Sequence, residues 1–136
     1  MMPKHISDKR DNVGILYAHG GGVIAGSAEL YKPMLSLLAT KSNAVIFNVD
    51  YRLAPETKCP KNILDFYSAL KHVGENAENL WINGDKVGIR GESGGGYICF
   101  GTMVRLAMQN ESHLVKAALP IIPMISDYVF SFNLKF

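Results

Sequence analysis

Lys86-Val87-Gly88-Ile89-Arg90-Gly91-Glu92-Ser93-Gly94-Gly95 is the stretch on which the fold turns. Lys86 to Arg90 reads as a short strand that breaks at Gly91. Gly94 to about Gln109 reads as a buried helix carrying Ile98, Phe100, Met103, Val104, Leu106 and Ala107. The Gly91-x-Ser93-x-Gly95 spacing therefore stands between a strand and a helix, the context that separates a nucleophile elbow from a chance match. A strand that reverses sharply into a helix needs glycine where side chains would clash, and it leaves Ser93 projecting outward. The helix N-terminus sets backbone N–H groups and the positive end of the helix dipole beside a developing oxyanion.

Working outward, strands and helices alternate. Upstream, Asn83-Gly84-Asp85 is a turn signal. Val13 to Ala18 is an apolar run ending in His19-Gly20-Gly21-Gly22, a buried strand entering a glycine turn. Ser27 caps a helix to about Thr40, with Leu30, Met34, Leu37 and Leu38 at helical spacing. Ala44 to Val49 is a second buried strand, ending at Asp50 before a loop containing Pro55. Pro60 opens a helix with Ile63, Phe66, Leu70 and Val73 on one face and Gly74 as its stop. Downstream, Val115 to Ile122 forms a fourth strand, with Pro120 inside it, which an edge strand tolerates. This order predicts an α/β fold: a central parallel sheet of about four strands with helices on both faces, in one domain over 1–136.

Bulk properties narrow the function classes. The 136 residues are 48% hydrophobic and 19% charged, which suits a globular core and argues against disorder. Basic and acidic residues are interspersed and leave a net charge of +2, so neither nucleic acid nor an anionic lipid surface is an expected partner. Cys59 and Cys99 carry no CxxC or zinc-ligand spacing and read as free thiols, and no metal or cofactor is expected. Met1 to Asn12 has no apolar signal segment, and no run of about 20 apolar residues could span a membrane, so a cytoplasmic protein is expected. Without a secretory signal, the Asn110-Glu111-Ser112 glycosylation triplet reads as chance.

A second glycine signal supports the first. In His19-Gly20-Gly21-Gly22 the backbone can approach a ligand closely and aim N–H groups at it. An elbow of this kind takes one oxyanion donor from the residue after the nucleophile, here Gly94, and others from the loop after an earlier strand, assigned to Gly21 and Gly22. His19 and Gly20 support that loop.

These segments, with Asp50-Tyr51-Arg52-Leu53-Ala54-Pro55-Glu56 between them and Ser93 following His19 by 74 positions, resemble the hormone-sensitive-lipase branch of the α/β-hydrolase fold. Glu92 and Gly94 stand where Asp and Ala are commoner in that branch. The resemblance implies hydrolysis of small carboxylic esters through an acyl-enzyme on Ser93. It also implies family strand order 4-3-5-6, with 44–49 and 115–122 at bare edges, marginal stability and self-association through those edges. It implies a truncated domain, without the family's N-terminal cap or the C-terminal region that supplies the triad acid and histidine.

No resident histidine is a convincing base, which must come within about 3 Å of the serine oxygen. His113 follows a helix that carries it roughly 25 Å away, and His72 lies at the far end of another. His5 sits in a polar tail. Asp127 follows the last strand at the correct edge for an acid. The expectation is weak ester hydrolysis by the chain alone. Tyr51 to Glu56 read as a structured loop pinned by an Arg52–Glu56 pair, and Trp81 and the methionines as core or rim.

Two rivals come from other classes. One is a non-catalytic ligand-binding pseudo-hydrolase that keeps the pocket without turnover. The other is a Rossmann-like dinucleotide-binding module, for which Gly20, Gly22 and Gly26 have the wrong spacing and the elbow has no role. Ser27 stands where a P-loop would need lysine.

Overall fold

Short runs carrying apolar residues form the strands, and all their pairings are parallel. The computed structural model describes Met1 and residues 11–125. His5 and Asp127 lie outside the described residues. Strands β1 (Val13–Ala18), β2 (Ala44–Val49), β3 (Val87–Glu92) and β4 (Ala117–Ile121) alternate with helices α1 (Ala28–Ser42), α2 (Lys61–Glu75) and α3 (Gly94–Met108). The sheet order is β2-β1-β3-β4, so β2 and β4 are the edges, which is the 4-3-5-6 order that the resemblance implies.

The period of two along β1 divides the core. Leu16 and Ala18 face one side, in a cluster with Ile63, Phe66, Leu70 and Val73 of α2 and Ile98, Cys99 and Leu106 of α3. Ile15 and Tyr17 face the other, with Leu35 and Ala39 of α1 and Ile46 of β2. Each large side chain so buried contributes about 1.5–3 kcal/mol of transfer free energy.

The helices differ from the sequence reading at named positions. Leu30 and Leu37 of α1 are mostly exposed, and the side facing the sheet is Leu35 and Ala39. The apolar residues of this helix run nearly all the way round, so periodicity alone did not choose a face. In α3, Phe100, Met103 and Val104 are likewise exposed, while Ile98, Cys99, Thr102 and Leu106 are buried. The α2 face is the expected one, although Gly74 lies inside the last turn instead of ending the helix.

Local signals set the ends of α1. The Ser27 hydroxyl accepts from Leu30 N at 3.4 Å, and Asn43 terminates the helix in the left-handed region at φ 52°. Asp50, at the end of β2, accepts from Ala28 N at 2.8 Å and so joins the start of α1 to the carboxyl edge of the sheet. The β2 edge is not wholly bare: Met1 and Ile46 exchange two backbone hydrogen bonds of 2.7 and 2.9 Å. On the α1 side, the sheet beyond α1 holds an open hollow of about 380 Å³ lined by Val13, Ile15, Leu38, Arg90 and Leu119 among others. It extends toward the amino ends of the strands, away from Ser93. No helix among the described residues is long and apolar enough to cross a membrane.

Candidate active site

Ser93 joins β3 to α3 with φ 53° and ψ −113°. A non-glycine residue held there stores about 1–3 kcal/mol and persists only where its surroundings over-determine it. Here the flanking glycines do so. A Cβ on Gly91 would stand 2.2 Å from the Gly95 carbonyl oxygen, and one on Gly95 would stand 2.0 Å from that of Ala18. The spacing of the motif thus follows from how closely α3 starts against β1 and β3. Ser93 N donates to the Ile121 carbonyl at 3.0 Å, and Tyr97 N donates to the Ser93 carbonyl at 3.0 Å. Ser93 is half-buried, and no side chain among the described residues hydrogen-bonds its hydroxyl.

The two glycine segments meet at this elbow. A Cβ on Gly20 would lie 3.9 Å from the Ser93 Cβ, and one on Gly94 would lie 2.9 Å from Gly22 N and 2.7 Å from Val23 N. Gly21 and Gly22 have φ of 118° and 62°, which a side chain would strain. The Gly21 carbonyl accepts from Ile24 N at 3.1 Å and Ala25 N at 3.0 Å, closing the turn. The structure therefore brings Ser93, Gly94 and the Gly20 to Gly22 loop together at the carboxyl edge of the sheet. It adds Val23, whose φ of 59° is unusual for a β-branched residue and had no signal in the sequence.

His19 is fully buried beneath this loop. Its Nδ1 lies 2.8 Å from the Gly20 carbonyl, which can only accept, so Nδ1 carries the proton. Nε2 lies 3.9 Å from Asp50 Oδ1. Tyr51 stacks on the imidazole at 4.4 Å and 17°, and its hydroxyl donates to the His19 carbonyl at 2.6 Å. Tyr31 of α1 stacks on the ring at 5.7 Å. Burial pushes the Tyr51 hydroxyl well above its usual range, so it remains a donor. Ala54 N donates to the Val23 carbonyl at 2.8 Å.

The 51–56 loop is structured as expected, but its pin is different. Arg52 pairs with Asp65 of α2, through Nε at 2.8 Å and Nη2 at 2.6 Å, and not with Glu56. Glu56 is exposed, whereas Asp65 presents both carboxylate oxygens to the guanidinium fork from a rigid helix. That hydrogen-bonded pairing holds the Asp65 carboxyl below its ordinary range.

The other histidines are remote by topology. His72 lies in the last turn of α2, where its carbonyl accepts from the Asn76 side chain at 2.8 Å. His113 follows α3, beside a hollow it shares with Lys71, Glu75 and Glu111. Both cysteines are free: Cys59 is exposed, 2.8 Å from the Tyr97 hydroxyl, and burial behind Gly91 pushes the Cys99 thiol up to about 12. Trp81 lies at the rim, 44% exposed.

Residues 15–132 match the sequence profile of a family described as alpha/beta hydrolase fold. Over 118 residues the chain is 36% identical to an arylesterase of Saccharolobus solfataricus, covering 86% of this chain and 38% of that protein. It is 40% identical over 90 residues to carboxylesterase NlhH of Mycobacterium tuberculosis, covering 65% of this chain and 28% of that protein. Among solved structures, the hyperthermophilic esterase from Pyrobaculum calidifontis superposes with a TM-score of 0.82 at 36% identity, covering 88% of this chain and 38% of the esterase. The chain thus spans well under half the length of the relatives it matches.

Proposed function

Because this chain belongs to the alpha/beta hydrolase fold family, we propose that it is the nucleophile and oxyanion part of a serine carboxylic ester hydrolase. Ser93 Oγ attacks the acyl carbon of a small ester, and the alcohol leaves as an acyl-enzyme forms. Gly21, Gly22 and Gly94 donate backbone N–H groups to the oxyanion, each such donor being worth about 3 kcal/mol in the transition state. Residues 1–136 form one partial domain, spanning well under half the length of its relatives. The base is not His19, whose ring is committed to the loop, nor His72 or His113, which stand away from Ser93. The observation that carries this reading is Ser93 held at φ 53° with the Gly22 amide packed against the next residue.

The chain alone is expected to hydrolyse p-nitrophenyl acetate weakly, because enzymes stripped of their triad retain only about a thousandfold over water. An alkyl fluorophosphonate should modify Ser93 in preference to the exposed Ser36 and Ser112, and peptide mass mapping reads this directly. No modification at Ser93 after prolonged exposure would remove the nucleophile assignment. A binding-only pseudo-hydrolase is the second reading, favoured by a Ser93 hydroxyl that no side chain among the described residues hydrogen-bonds, and that same outcome would support it. Self-association through the β4 edge is part of the proposal, since Leu119 there is 55% exposed.

A further inference from the structure

We infer that Tyr51 is a positioning residue for the oxyanion loop, acting through the His19 carbonyl and ring rather than on the substrate. The inference rests on the oxyanion role proposed above for Gly21, Gly22 and Gly94.

Amide donors act only where the backbone aims them, and a 1 Å misplacement can cost about a hundredfold in rate. The peptide joining His19 to Gly20 is the first link of the loop, and its orientation governs the amides that follow. The Tyr51 hydroxyl holds that peptide by its oxygen at 2.6 Å. The same oxygen abuts the first turn of α3, since a Cβ on Gly95 would lie 2.6 Å from it. The loop therefore enters against both the Tyr51 hydroxyl and the helix that begins after Ser93. Stacking at 4.4 Å fixes the imidazole, and the imidazole in turn holds Gly20 O at 2.8 Å. The far end of the loop is held from the same segment, by Ala54 N on the Val23 carbonyl. Tyr51 is 2% exposed, so substrate does not reach it.

Tyr51→Phe keeps the ring and removes the hydroxyl. Its test is the second-order rate of Ser93 modification by an alkyl fluorophosphonate, together with the 1H–15N shifts of the Gly20, Gly21 and Gly22 amides. Both are measured under conditions where circular dichroism shows the variant folded. The expected result is a rate at least about tenfold below the parent, given a loss of about 100- to 1000-fold for a whole donor, and displaced amide shifts. Val73→Ala, a core truncation on α2, should lower the melting temperature while leaving the rate and those shifts unchanged. A Tyr51→Phe chain that reacts at the parent's rate with unmoved shifts overturns the inference. If the parent itself is not modified at Ser93, the functional proposal fails, and the shifts alone then decide the role of Tyr51: moved, the positioning stands; unmoved, it falls. Should Tyr51→Phe not fold, the parent still decides: the Tyr51 hydroxyl proton should exchange slowly and couple to the His19 carbonyl carbon, and its absence overturns the inference.

Discussion

Gly95→Ala is the substitution for which the geometry gives the sharpest expectation. The added Cβ would stand 2.0 Å from the Ala18 carbonyl oxygen and 2.6 Å from that of His19, where ordinary contact begins at 3.4 Å. Relief requires a displacement of about 1.4 Å, large for a close-packed interior. Neither obstacle can give way easily. Ala18 is in register with Val49 on one side and Gly91 on the other, and the His19 carbonyl receives the Tyr51 hydroxyl. The remaining outlet is to lift the first turn of α3 from β1, loosening the packing of Ile98 and Cys99. Overpacking costs about 1–3 kcal/mol, and because backbone is the obstacle the upper end applies, about 3 kcal/mol. The contrasting variant is Gly74→Ala. It sits in the last turn of α2 with nothing within 4 Å of its Cβ position, and should gain about 0.5 kcal/mol from helix propensity. Urea unfolding followed by far-UV circular dichroism measures both. A Gly95→Ala midpoint within about 0.5 kcal/mol of the parent would refute the claim that close approach of α3 to β1 dictates the motif.

Other outcomes follow from the same geometry. Ser93→Gly should abolish fluorophosphonate modification yet stabilise the chain by about 1 kcal/mol in urea unfolding, because it relieves the positive φ; a destabilised variant would contradict stored strain at the elbow. Asp65 is depressed by its Arg52 partner, so its contribution to stability is present above the unfolded carboxyl value near about 4 and is lost as pH falls through the lower folded value. The thermal midpoint should therefore drop on acidification through that window, and Asp65→Asn should flatten the drop; an unchanged profile would show that the pair contributes nothing. Light scattering across a concentration series should show growth in mass for the parent and less for Leu119→Lys, which puts a charge on the β4 edge. Equal association by both would place the contact elsewhere.

The linear order of the residues was enough to place the four strands to within two residues, the α2 face and the turn at Ser93, while the order of strands in the sheet was legible only through the resemblance. The former depend on local patterns: short apolar runs, helical spacing on one face, and a glycine spacing that a strand-to-helix reversal requires. Tertiary structure alone decided which side of α1 and α3 is buried. Apolar residues surround both helices, and only the sheet they meet selects Leu35 over Leu37 or Cys99 over Phe100. It also decided the partner of Arg52. Glu56 is closer along the chain, but Asp65 stands across the loop on a rigid helix with both oxygens free to pair. The clamp of Tyr51 and Ala54 on the glycine loop was likewise illegible, because it joins segments some 30 positions apart through main-chain carbonyls, and a carbonyl leaves no mark in the identity of its residue.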